Sequence, residues 1–99
     1  MVEVVWEFLV ADAQRTEFES LYNSDGAWAQ LFRNHPAYHG TTLLCDLDDR
    51  GRYLTIDRWQ SLESYNSFKQ RFAREYAAID EQCEALTSSE RLIGIFDRV

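Results

Sequence analysis

Ninety-nine residues, 45% hydrophobic and 14% aromatic, are one domain's worth of chain with enough apolar material for a core, so the expectation is a single domain over residues 1–99. A formal net charge of −7 speaks against nucleic acid, whose binding rests on clustered Lys and Arg, and against anionic membrane surfaces. No run reaches the roughly 20 apolar residues of a membrane helix, and Met1 to Val10 carries Glu3 and Glu7 without a basic residue, unlike a secretory signal. A cytoplasmic location is expected.

Val2 to Val10 reads as a strand, with Val4, Trp6, Phe8 and Val10 on one face and Val5 and Leu9 on the other beside Glu3 and Glu7. Asp12 is placed to cap the next segment, in which Phe18, Leu21 and Tyr22 follow helical spacing until Asn23-Ser24-Asp25-Gly26 interrupts it. Trp28, Leu31 and Phe32 resume a short apolar helical face that Pro36 ends. Tyr38 to Leu47 is the second strand and Tyr53 to Trp59 the third, joined as a hairpin by the turn residues Asp48-Asp49-Arg50-Gly51. Ser61 caps a long helix in which Leu62, Tyr65, Phe68, Phe72, Tyr76, Ile79, Cys83 and Leu86 recur every three or four residues. Thr87-Ser88-Ser89-Glu90 matches a capping box and predicts one short helical turn, and Leu92 to Phe96 is the last strand.

Strand, helix, hairpin, helix, strand is the ferredoxin-like βαββαβ order, an α+β fold whose four-stranded antiparallel sheet carries its helices on one face. Yet the first strand is apolar on both faces. So is the last, with Leu92 and Phe96 set against Ile93 and Ile95. The uncovered face would leave a large apolar patch in water, and a second copy packed sheet to sheet is the simplest cover. A homodimer is therefore expected, the alternative being that the turn near Thr87 shields that face.

Reactive motifs are scarce. His35 and His39 are spaced i, i+4, but Pro36 between them breaks the helix that metal binding would need. No metal site is expected, and the two read as loop or pocket-rim residues, with His35 able to serve as acid or base. Asp46 to Gly51 resembles the start of a calcium loop, with Asp57 where a last ligand would stand. Arg50 at a ligand position and the flanking strands make it a polar hairpin tip. Cys45 and Cys83 read as reduced, buried thiols. No nucleophile elbow, phosphate loop, dinucleotide fingerprint or CxxC occurs.

What the chain does have is aromatic side chains with polar handles. Most of these will build the core, where a buried Tyr or Trp usually needs a hydrogen-bond partner. They also allow a flat cavity for a planar aromatic molecule. Tyr65, Phe68, Phe72 and Tyr76 would form its helical wall, Trp28 and Phe32 the other side, with His35, Trp59 and Asn66 as further candidates. Arg58 points away from Asp57 and Trp59 along the strand, and a charge inside a dimer would need a partner, for which Glu7 is one candidate.

Val5-Trp6-Glu7-Phe8, Asp25 to Phe32, Tyr38-His39-Gly40-Thr41, Tyr53 to Ser61 and Ile93-Gly94 together resemble the antibiotic-biosynthesis-monooxygenase-like family of dimeric α+β barrels over nearly the whole chain. The family includes cofactor-free oxygenases of polycyclic anthrones, haem-degrading enzymes, aldehyde or quinol oxidisers and members without known activity. The haem-degrading pattern asks for Asn on the first strand, where Trp6 or Glu7 stands. It asks for Trp on the long helix, where Phe68 stands, and for a His that is missing between Ser61 and Leu86. The anthrone-oxidising branch resembles a pocket of Trp, Tyr and Asn side chains, types present here as Trp28, Trp59, Tyr65, Tyr76 and Asn66, and implies neither flavin nor metal. The resemblance thus implies a cofactor-independent monooxygenase acting on a small aromatic, quinol or anthrone-type molecule, with no catalytic acid or base assigned. The alternative is a non-catalytic ligand-binding or interaction dimer on the same scaffold.

Overall fold

A computed structural model describes all 99 residues, Met1–Val99. The strands are β1 (Val2–Leu9), β2 (Tyr38–Cys45), β3 (Arg52–Trp59) and β4 (Ser89–Asp97), and the helices are α1 (Arg15–Tyr22), α2 (Ala27–Phe32), α3 (Leu62–Arg71) and α4 (Ala73–Cys83). They assemble as a four-stranded sheet in the order β2-β3-β1-β4, every pairing antiparallel. This is the ferredoxin-like α+β arrangement expected from the sequence, with the sheet left open.

Side-chain alternation sets the two faces. Along β3 the helix-facing residues Tyr53, Thr55, Asp57 and Trp59 are all buried, while Leu54, Ile56 and Arg58 between them are half-exposed. Register carries the pattern across, so that Val4 lies beside Asp57, Trp6 beside Thr55 and Phe8 beside Tyr53. Phe18 and Tyr22 of α1, Trp28, Leu31 and Phe32 of α2, and Tyr65 and Phe68 of α3 close over this face as one core cluster. The expected hairpin is closed by Asp46 and Arg52, and Asp46 Oδ1 and Asp49 Oδ1 accept from the Asp48 and Gly51 N–H groups, so these acids are spent on the turn.

Several local expectations give way. Asp12 opens a one-turn 3₁₀ segment and caps nothing with its side chain. The long helix is bent at Phe72, where φ −112° and ψ 27° leave the helical region. Hydrogen bonds from Phe72 N–H to the Phe68 carbonyl and from Tyr76 N–H to the Phe72 carbonyl bridge the bend. Ser61 does cap α3, reciprocally with Ser64. Thr87 to Glu90 form no helical turn. Ser89 and Glu90 already pair with Leu9 and Phe8, and the Ser88 N–H donates to the Leu9 carbonyl, so strand pairing along the whole of β1 outcompetes a local cap.

A bulge at Ile93 changes the faces of β4. Val5 opposes Gly94 and Trp6 opposes Leu92, leaving Ile93 as the extra residue. Leu92 and Ile95 therefore share the helix side and Phe96 the outer side, a different division from strict alternation. Arg58 also departs from expectation. It sits opposite Glu3, four residues from Glu7, and donates to Thr42 Oγ1. Glu7 is claimed instead by Arg52 at 2.7 Å and Arg91 at 3.3 Å. These cations hold its carboxyl below the usual range, the Arg52 hydrogen bond foremost. Cys45 is only partly buried, whereas Cys83 is buried as expected, and both are free. No helix is long and apolar enough to cross a membrane.

Candidate functional site

Between the inner sheet face and α2 and α4 lies a partly open cavity of about 50 Å³. The sheet supplies its floor: Trp6 and Phe8 from β1, Thr41 from β2, Thr55 and Asp57 from β3. Tyr22, Trp28, Phe32 and Tyr76 wall it, and Asp80 and Glu90 stand at its edge. A dry cavity of ~150 Å³ accommodates benzene, so a planar ring requires some outward movement. The element placed to give way is α4, which buries only Cys83 and leaves Tyr76 and Ile79 half-covered.

Asp57 is the chemical centre of this space. It is 8% exposed, and its Oδ1 accepts a 2.7 Å hydrogen bond from Thr41 Oγ1, which is itself 2.6 Å from the Tyr38 hydroxyl. Oδ2 receives no hydrogen bond from the chain, and Asp57 lines the cavity. Burial pushes the carboxyl up to about 6, against the lowering effects of the Thr41 hydrogen bond and the Arg58 charge. A carboxylate that titrates near neutrality beside an aromatic cavity can take and return a proton. Burial drives Tyr22 and Tyr76 far upward, so both remain neutral phenols that donate hydrogen bonds. Glu90 is raised as well, by burial and then by the nearby Asp80.

Of the side chains singled out from the sequence, Trp28, Phe32 and Tyr76 meet at this cavity. Trp59 and Phe68 are fully buried in the adjoining core, in contact with Phe32, and Tyr65 packs on Trp59. Phe72 stacks on Phe68 at the helix bend. His35 is buried with its Nδ1 accepting the Ala37 N–H, which ties it to the turn after Pro36. Asn66 is exposed on α3. The indole Nε1 atoms of Trp28 and Trp59 are buried without an acceptor. No group of three or more His, Cys, Asp or Glu side chains is placed to hold a metal ion.

Asp57 escaped the sequence reading as a site residue because acidic residues are common in this chain. The signal available was positional: Asp57 occupies an inward position of a strand whose other inward residues are Tyr53, Thr55 and Trp59. An acid on the buried face of a strand is expensive unless it is paired or hydrogen-bonded, so its position there singles it out.

The architecture is thus a ferredoxin-like domain with an acid-bearing aromatic cavity beneath its helices. The family model described as antibiotic biosynthesis monooxygenase matches residues 1–81, and the chain belongs to that family. SnoaB, a cofactor-independent oxygenase from Streptomyces nogalater, is 26% identical, with 99% of this chain and 92% of that chain covered at a TM-score of 0.71. A Deinococcus radiodurans protein carrying the same family description is 14% identical, covering 100% of this chain and 93% of that one at 0.78. Rv0793 from Mycobacterium tuberculosis is 16% identical, covering 99% and 94% at 0.75. At these lower identities the likeness is one of fold. None of the curated proteins matches the sequence.

Proposed function

We propose that this protein is a cofactor-independent monooxygenase of a small aromatic, quinol or anthrone-type substrate. The observation that carries the reading is the free Oδ2 of buried Asp57 on an aromatic cavity. In this chemistry Asp57 accepts a proton from an activated C–H or O–H of the substrate. The resulting enolate passes one electron to oxygen, and the radical and superoxide combine into a peroxide anion. Proton return from Asp57 and loss of water then leave the ketone or quinone, so each CH₂ and O₂ become C=O and H₂O. The walls exclude water and fix the ring, while Tyr22 and Tyr76 donate hydrogen bonds to its oxygens. Oxygen uptake with the protein alone should turn an anthrone into the quinone and water, or a hydroquinone into the hydroxyquinone and water, at least ~100-fold faster than buffer. An electrode trace equal to the buffer rate across a broad substrate panel would sink the reading.

A second reading is favoured by one feature: no Lys, Arg or His lines the cavity to hold an enolate or superoxide. A non-catalytic ligand-binding dimer on this scaffold would return its ligand unchanged while raising the melting temperature.

The working unit in either reading is a homodimer formed through the outer sheet face. Val5, Leu54, Ile56 and Leu44 form an apolar centre there, within the ion pairs of Glu7 with Arg52 and Arg91 and of Glu3 with Arg98. Ile56→Asp sets an unpaired charge at that centre, and sedimentation should then find monomer where the parent chain sediments as dimer. A parent chain that sediments as monomer would refute the dimer.

A further inference from the structure

The aromatic cavity continues into a second, more open groove of about 510 Å³ between α4 and the start of β4. Asp80 and Glu90 belong to both. The groove adds Glu81 and Glu84, and otherwise Ala77 and the polar residues Thr87, Ser88 and Ser89. From floor to exit the path thus meets Asp57, Asp80, Glu90, Glu81 and Glu84, without a single Lys, Arg or His.

Such a path repels anions and attracts cations, most strongly where burial lowers the local dielectric. The kind of cation follows from geometry. No three of these carboxylates converge to ligate a metal ion, so the charge is spread over a lane, and the inner end of the lane is indole, phenol and phenyl rings. Faces of Trp, Tyr and Phe bind ammonium groups, as do carboxylates at the rim. We infer that the ligand of this site is an organic cation: an aromatic or hydroaromatic amine whose ring enters between Trp28, Phe8 and Tyr76 and whose protonated nitrogen rests against Asp80 and Glu90. The inference rests on the cavity being the binding site and specifies its substrate class. Such a substrate would also bring its own positive charge to a cavity that offers an enolate none.

The test compares benzylamine, benzyl alcohol and benzoate, one ring with three charges, binding to the full chain near neutral pH and low salt. Fluorescence of Trp6 and Trp28 reports occupancy, and calorimetry checks the stoichiometry. Benzylammonium should bind about tenfold more tightly than the alcohol, with benzoate weakest. The preference should shrink below about threefold at high salt and in the Asp80→Asn/Glu90→Gln double variant, whose two side chains are exposed and whose fold circular dichroism verifies. Alcohol or benzoate binding as tightly as the amine, an undiminished preference in the double variant, or binding of none of the three would each overturn the inference. The oxygenase reading fails separately: charge selection without oxygen uptake by any amine-bearing hydroquinone refutes catalysis and leaves the cation site standing. Oxygen uptake on neutral substrates without charge selection does the reverse.

Discussion

Asp57→Asn should lower the rate of oxygen uptake by ~100- to 10,000-fold, the range that removal of a positioned base produces, while leaving the fold intact. The amide is close in size to the carboxyl, and its oxygen can still accept from Thr41 Oγ1. In the parent chain kcat/KM should climb with pH through about 6, where the buried carboxyl loses its proton, and level off above. Thr41→Val removes the hydrogen bond that holds that value down, so the same rise should move to higher pH. A pH profile that is flat between pH ~4 and ~8, or an Asp57→Asn protein with full activity, would dismiss Asp57 as the base.

The same group makes a stability argument with a definite sign. The folded state raises the Asp57 carboxyl from 3.8 to about 6, so it binds this proton more firmly than the unfolded chain does. Stability should therefore be unpenalised below the lower value, fall as pH rises from one to the other, and stay reduced above the upper. A shift of that size corresponds to about 3 kcal/mol, a large share of the ~5–15 kcal/mol that holds a domain of this kind together. Asp57→Asn escapes this cost, and its stability advantage over the parent should appear between those two pH values. So costly an acid on an inward strand position, with one oxygen left free, is what the proposed base requires, and the two pH dependences together test it.

The fold was legible because its signals are periodic. Alternation along Val2 to Val10 and Tyr53 to Trp59, and the three-four spacing from Leu62 to Leu86, each report a buried face directly. Features that depend on pairing partners were not. The bulge that turns Phe96 to the outer side exists only against Val5 and Trp6 of β1, and the absorption of Ser89 and Glu90 into β4 depends on Phe8 and Leu9. Arg58 looked like a partner for Glu7 until the register set it opposite Glu3. The site was legible in type and blurred in membership. Aromatic periodicity cannot separate a ring that lines a space from one that fills it, and Tyr76 and Phe68 lie on the same stripe of the sequence with different surroundings.

Phe68 is where that difference can be measured. Its ring is fully buried and sits 5.1 Å from Trp59, 5.2 Å from Phe32 and 5.2 Å from Phe72, centroid to centroid. The ring joins α3 to the sheet and to α2 at once, and its deletion leaves a void that none of those neighbours, themselves rings in fixed packing, can collapse to fill. Phe68→Ala should cost about 3–5 kcal/mol, lowering Tm by more than ~12 °C for a chain of this length. Tyr76 lies half-covered at the cavity wall, so Tyr76→Ala should cost much less stability and weaken ligand binding instead. Measured well below the lowered Tm, the Phe68→Ala protein should retain its ligand affinity to within about threefold, since the void opens in the core beside the cavity. The opposite pairing, a stable Phe68→Ala protein with lost affinity, would make Phe68 part of the ligand's wall and extend the site along α3 toward Tyr65.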